Sequence, residues 1–265
     1  IYRGLLMGIS DLIPGVSGGT IAFILGIYER LLSSISGFFS REWKKHIGFL
    51  VPLALGMGFA LLFFSKVIDY LLEHHYEPTQ FFFIGLVVGV FPFIFKQAEV
   101  KKRFTWKHFG IIAVVAVVLA SMAFVNPIES KLITTLTVPS TIGLFFAGWL
   151  GSMAMLLPGI SGSFILLLLG VYPTIISALS SLNIPIILVV GAGVAIGFII
   201  SSKAISYIFE NFPYVTYSVI IGLLIGSFFV MFPGISSSLM TNIISIITFV
   251  AGLFITLYFS APRKN

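Results

Sequence analysis

A short Pro-Gly-x-Ser-Gly interruption occurs twice in this chain, each time inside a long apolar block, and few architectures can accommodate it. Pro14-Gly15-Val16-Ser17-Gly18-Gly19-Thr20 cuts a block over about 1–39, and Pro158-Gly159-Ile160-Ser161-Gly162-Ser163 cuts one over about 139–181. Three apolar stretches follow each block: near 46–72, 79–96 and 108–125, then near 184–209, 214–232 and 239–260. Helices of this length span a hydrocarbon layer about 30 Å thick. Composition removes the soluble alternative. The chain is 58% hydrophobic and 9% charged, where soluble domains carry about 25% charged residues, and packing cannot hide that much apolar surface from water. The expected class is an all-α polytopic membrane protein.

The two halves match residue by residue. At an offset of 144, Pro14, Gly15, Ser17, Gly18, Gly26 and Tyr28 align with Pro158, Gly159, Ser161, Gly162, Gly170 and Tyr172. At an offset of 137, Ser65, Lys66, Ile68, Tyr70 and Glu73 align with Ser202, Lys203, Ile205, Tyr207 and Glu210, and the GxxxG pair Gly85/Gly89 with Gly222/Gly226. The reading is an internal duplication, 1–126 and 138–260. A broken block crosses the membrane zero times, as a re-entrant hairpin, or twice; three spans follow. Each half therefore makes an odd number of crossings, and the second is inverted relative to the first. The charges agree. Arg3, Arg30, Arg41, Lys44, Lys45, Lys96, Lys101, Lys102, Arg103, Lys107, Arg263 and Lys264 fall on one side, and Lys131 falls opposite, with Glu73, His74, His75 and Glu77. The positive-inside rule makes the basic side, with both termini, cytoplasmic. The chain starts at Ile1 without a methionine, so an upstream piece is expected.

Inverted repeats with interrupted helices in matching positions point to a transport site near the bilayer midplane. Backbone freed by Pro and Gly is tolerated there only where protein buries it or a wet cavity meets it. Ser17, Gly18, Gly19 and Thr20 at one break, and Ser161, Gly162 and Ser163 at the other, offer hydroxyls and amides to an anion. Lys66 and Lys203, matched within apolar stretches, are the expected cations on the substrate's path; the competing reading is that they snorkel to the headgroups. Asp11 has Met155 at its matching position, and Glu29 and Arg30 have Pro173 and Thr174. These departures make Asp11, Glu29 and Arg30 the candidates for coupling or gating. For Glu29 and Arg30 the alternative is an interfacial end cap. The four histidines fall near segment ends and read as interfacial.

The run from Gly8 to Arg30, GISDLIPGVSGGTIAFILGIYER, together with the second copy LPGISGS at 157–163, resembles the signature of the bacterial polyprenyl-phosphate translocases, the PopT group, formerly a domain of unknown function. The resemblance covers nearly the whole chain. It implies transport of undecaprenyl phosphate, the carrier lipid of cell-wall precursors, from the outer to the cytoplasmic leaflet of the bacterial plasma membrane. The substrate's charged head is the difficult part to move, because a bare ion in a low-dielectric medium costs tens of kcal/mol by Born estimates. Moving that anion inward also opposes an inside-negative potential by about 2.3 kcal/mol per charge per 100 mV, so a co-transported proton or cation is expected.

Two other functions fit parts of the sequence. Helix breaks of this kind would serve a transporter or channel for a small soluble anion. Gly15-Val16-Ser17-Gly18 and Gly159-Ile160-Ser161-Gly162 also fit the GxSG of intramembrane serine hydrolases, but no histidine base lies in the middle of an apolar stretch. There is no Walker A pattern and no cysteine. No cofactor, metal or nucleic acid is expected; the expected partner is the lipid itself.

Overall fold

The computed structural model describes residues 1–12, 17–38, 40, 42–125 and 132–260. Pro14, Gly15, Val16, Arg41, Lys131, Arg263 and Lys264 lie outside them. Every regular element among the described residues is helical: α1 (Tyr2–Asp11), α2 (Gly18–Ile24), α3 (Tyr28–Ser36), α4 (Trp43–His74), α5 (Tyr76–Gln97), α6 (Val100–Arg103), α7 (Trp106–Ser121), a 3₁₀ turn (Met122–Phe124), α8 (Val138–Leu156), α9 (Gly162–Leu168), α10 (Tyr172–Ser180), α11 (Ile184–Asn211), α12 (Pro213–Met231) and α13 (Leu239–Ser260). Seven of them are long and apolar enough to cross a membrane: α4, α5, α7 with its 3₁₀ turn, α8, α11, α12 and α13. The ends of the six expected spans lie within about four residues of those of these helices. The seventh, α8, is the first arm of the second broken block.

Each broken block is cut twice, where the sequence reading placed one cut. Gly26 (φ +62°) and Gly170 (φ +72°) end α2 and α9 in the left-handed region, which costs other L-residues roughly 1–2 kcal/mol. The second break bends the chain by 113° between α9 and α10. At seven residues each, α2 and α9 extend only about 10 Å. They are far too short to span the bilayer alone. Local chemistry sets the other starts: Thr105 with His108 and Thr137 with Ser140 form capping boxes, and Asn183 accepts from the Ile186 amide.

The helices pack in matching pairs. α1 lies on α4, and α8 on α11; α5 lies on α13, and α12 on α7. Glycine permits each approach. A Cβ on Gly4 or Gly56 would run into the facing backbone of α4 or α1, and one on Gly148 or Gly193 into that of α11 or α8. The GxxxG pairs act within the chain: Gly85 and Gly89 face Phe249, Leu253 and Thr256 of α13, while Gly222 and Gly226 face Ile112, Val115, Ala116 and Leu119 of α7. Thr248 and Thr256 donate across to the carbonyls of Pro78 and Leu86 at 2.7 and 2.9 Å. Such bonds average only about 0.6 kcal/mol in membrane proteins, so dispersion at the close glycine contacts carries most of the association.

The core lies where α5 and α12 meet the first broken block, and includes Phe23, Tyr28, Leu32, Val90, Ile94, Ile220 and Leu224. The outer faces carry exposed Phe63, Val117, Ile247 and Phe254. In water such a surface would aggregate. In a bilayer it is the lipid face.

Candidate functional site

The two breaks meet each other. Ser17 caps α2, accepting from the Thr20 amide at 3.2 Å, and its hydroxyl donates to the Leu157 carbonyl at 3.1 Å. Thr20 Oγ1 in turn accepts from the Gly159 amide at 2.9 Å. The amide just after Pro158 thus finds its acceptor in a side chain of the other broken block, and the carbonyl before Pro158, which also accepts from the Ile160 amide at 3.4 Å, gains a second donor there. Gly19 lies so close to the end of α8 that a Cβ would come within 3.0 Å of the Met155 and Leu156 carbonyls. Ser17 and Thr20 are each only 1% exposed. Their first task is to join the two breaks.

Asp11 sits at the end of α1, and its Oδ1 accepts from the Gly18 amide at 2.6 Å. A carboxylate therefore already occupies the amide at which the first break would receive an anion. A side chain at Gly18 would collide with it. Beside Asp11 lies a cavity of about 200 Å³, lined from the second repeat by Ser152, Met155, Ser161, Gly162 and Ser163 among others. Ser161 and Ser163 share a hydrogen bond of 2.8 Å, and Ser163 is exposed. The cavity thus joins one carboxylate to hydroxyls that, unlike Ser17 and Thr20, are not spent on the opposite break. Ser152 was not singled out by sequence. It aligns with Gly8 at the same offset of 144, and that loss of symmetry was the available signal.

A model of the undecaprenyl phosphate translocase-like family matches residues 7–246. The chain belongs to this family. It is 42% identical to the polyprenyl-phosphate transporter of Staphylococcus aureus over 97% of this chain and 94% of that one. To the polyprenyl-phosphate transporter of Vibrio cholerae it is 34% identical, over 85% of this chain and 74% of that one. No solved structure matches it. The match to the translocase-like family takes in every candidate site residue, and both relatives are named transporters rather than enzymes. The serine chemistry considered above finds no base either: among the described residues, the partners of Ser17 and Ser161 are hydroxyl, carbonyl and amide groups, not histidine.

The other residues expected at the site of this translocase-like chain lie elsewhere. Lys66 and Lys203 are exposed on α4 and α11 and line neither the Asp11 cavity nor any ion pair among the described residues. Glu29 and Arg30 start α3 and line a separate pocket of about 650 Å³ with Ser33, Ser206, Glu210 and Tyr217. The Arg30 guanidinium lies 4.6 Å from the Phe49 ring centre, a cation–π contact. The structure thus brings Asp11, Ser17, Gly18, Gly19, Thr20, Ser161, Gly162 and Ser163 together. It leaves the lysines, Glu29 and Arg30 apart from them.

Proposed function

We propose that this chain carries undecaprenyl phosphate from the outer to the cytoplasmic leaflet of a bacterial plasma membrane, returning the carrier lipid to cell-wall synthesis. The observation that carries the reading is the meeting of the two breaks beside a cavity whose hydroxyls are not engaged by the opposite break, in a chain whose relatives are named polyprenyl-phosphate transporters. The lipid phosphate binds at Ser161, Gly162 and Ser163, where protein dipoles replace its water, and the isoprenoid tail stays in the lipid. At seven residues, α2 and α9 are too short for strong helix dipoles, so hydroxyls and amides supply the binding. Lys66 and Lys203 attract the headgroup at the surface before it reaches the breaks.

Asp11 is the coupling group. While it holds the Gly18 amide it occupies the anion's place in the first break; a proton or cation on the carboxylate releases that amide to the phosphate. Transport then consumes the gradient that offsets the electrical cost of inward anion movement. The two halves are inverted repeats with re-entrant broken hairpins, and both termini are cytoplasmic. Alternating access follows from this symmetry. α3 packs on α11, while the corresponding pair, α10 and α4, has no comparable contact among the described residues. This difference supports a state with one gate shut, and Glu29 and Arg30 stand at that gate.

The test is transbilayer movement of undecaprenyl phosphate in proteoliposomes, with and without a pH gradient. Wild type is expected to move the lipid faster with the gradient, Ser161→Ala/Ser163→Ala to lose most of the rate, and Asp11→Asn to lose the response to the gradient. If the lipid moved no faster than in protein-free vesicles while phosphate or sulfate crossed, the chain would be a transporter of small soluble anions.

A further inference from the structure

A groove of about 470 Å³ runs between α8 and α11, on a different side of α8 from the Asp11 cavity. Trp149, Met153 and Leu157 form one wall, and Ser201, Ala204 and Ile205 the other. Its main polar side-chain groups satisfy each other, the Trp149 Nε1–H donating to Ser201 Oγ at 3.3 Å. What remains is carbon. Small residues open it: the first repeat has Phe64 and Val67 where this wall has Ser201 and Ala204. The duplication has therefore kept the helix pair and emptied one side of it.

The groove ends beside the break. Leu157, the lining residue just past the end of α8, directly precedes Pro158, and its carbonyl accepts from Ser17. We propose that this groove holds the proximal part of the polyisoprenoid tail while the phosphate sits at the break, an inference that rests on the transport reading above. Its volume is that of a small-molecule site, about 300–1,000 Å³, so it takes a few isoprene units and leaves the rest in lipid. An unbranched, polarisable Met and a flat indole adapt to a chain with methyl branches and double bonds.

The experiment uses a polyprenyl phosphate carrying a photoreactive diazirine in its first isoprene units, with the whole chain in proteoliposomes. Adducts are expected on peptides containing Met153, Ala204 or Ile205, competed by undecaprenyl phosphate and not by phosphatidylglycerol. Alongside, Ala204→Phe is expected to slow undecaprenyl phosphate about tenfold, the lower end of what pocket occupancy discriminates, and to lose the labelling in the same measure. Equal competition by phosphatidylglycerol would overturn the proposal, because the groove would then take any acyl chain. So would wild-type transport without labelling, or an Ala204→Phe that moves the lipid at the wild-type rate. Labelling in the groove by a wild type that does not move undecaprenyl phosphate would overturn the transport reading and leave the groove standing.

Discussion

The two broken hairpins share a motif and differ in what surrounds it. In the first, all seven residues of α2 are buried, against α8 and α13 as well as the hairpin's own helices. In the second, only Gly162 of α9 is buried, and the helix has no side-chain cap. The sequences explain part of this. The second and third residues of α2 are Gly19 and Thr20, which allow close approach to α8 and a bond to Gly159; α9 has Ser163 and Phe164 there and ends in a run of leucines. One copy is a fixed support and the other is accessible. A duplicated motif need not do the same work twice: one copy's hydroxyls bond across to the opposite break, and the other's bond only to each other among the described residues.

The sharpest way to break this contrast is at the hinge of the second hairpin. Gly159 has φ +90°, and a Cβ there would come within 2.8 Å of the Leu223 carbonyl. Backbone strain and overpacking together make Gly159→Ala cost about 3 kcal/mol, read as a large fall in the melting temperature of detergent-solubilised protein or as loss of folded protein. Next comes the bridge between the breaks. Thr20→Val keeps the shape but strips the Gly159 amide of its acceptor, and a buried unsatisfied donor costs about 1–3 kcal/mol. A melting temperature unchanged in Thr20→Val would mean that the first hairpin is no support at all.

A smaller effect tests whether the hairpins share a backbone. Gly26→Ala and Gly170→Ala each force alanine into the left-handed region, at roughly 1 kcal/mol apiece, and should lower the melting temperature by similar amounts. A markedly cheaper Gly170→Ala would mean that the looser hairpin relaxes around the change, which would deepen the contrast.

The helices were legible because hydrophobic length and Pro-Gly breaks are signals that survive in one dimension. Long apolar helices have little choice of conformation in lipid, so the expected spans and observed helices nearly coincide. Gly26 and Gly170 were aligned with each other in sequence, yet their role as second breaks was hidden, since a lone Gly in a membrane helix is as often a packing contact. The site was half legible. Ser17, Thr20 and Asp11 were found as polar residues in apolar surroundings, but what each bonds to depends on how the repeats cross. Lys66 and Lys203 illustrate the same limit: matched positions established that they correspond, and side-chain direction, which puts both on exposed faces, was settled by packing.

The least destabilising variant discriminates best between support and ligand site. Ser163 is exposed and bonded only to Ser161 among the described residues. Ser163→Ala should therefore leave stability within about 0.5 kcal/mol of wild type. A hydroxyl that donates to a phosphate is worth about 1.5–3 kcal/mol, as for other bonds to charged groups, so the same change should slow undecaprenyl phosphate movement by about tenfold or more. Thr20→Val predicts the reverse order, with stability lost first and transport falling only as folded protein is lost. Melting temperature and transport rate per folded molecule, measured on both variants, would separate the roles. If Thr20→Val instead lost transport at full stability while Ser163→Ala kept it, the working copy would be the first hairpin, and the phosphate would have to displace the bond that joins the two breaks.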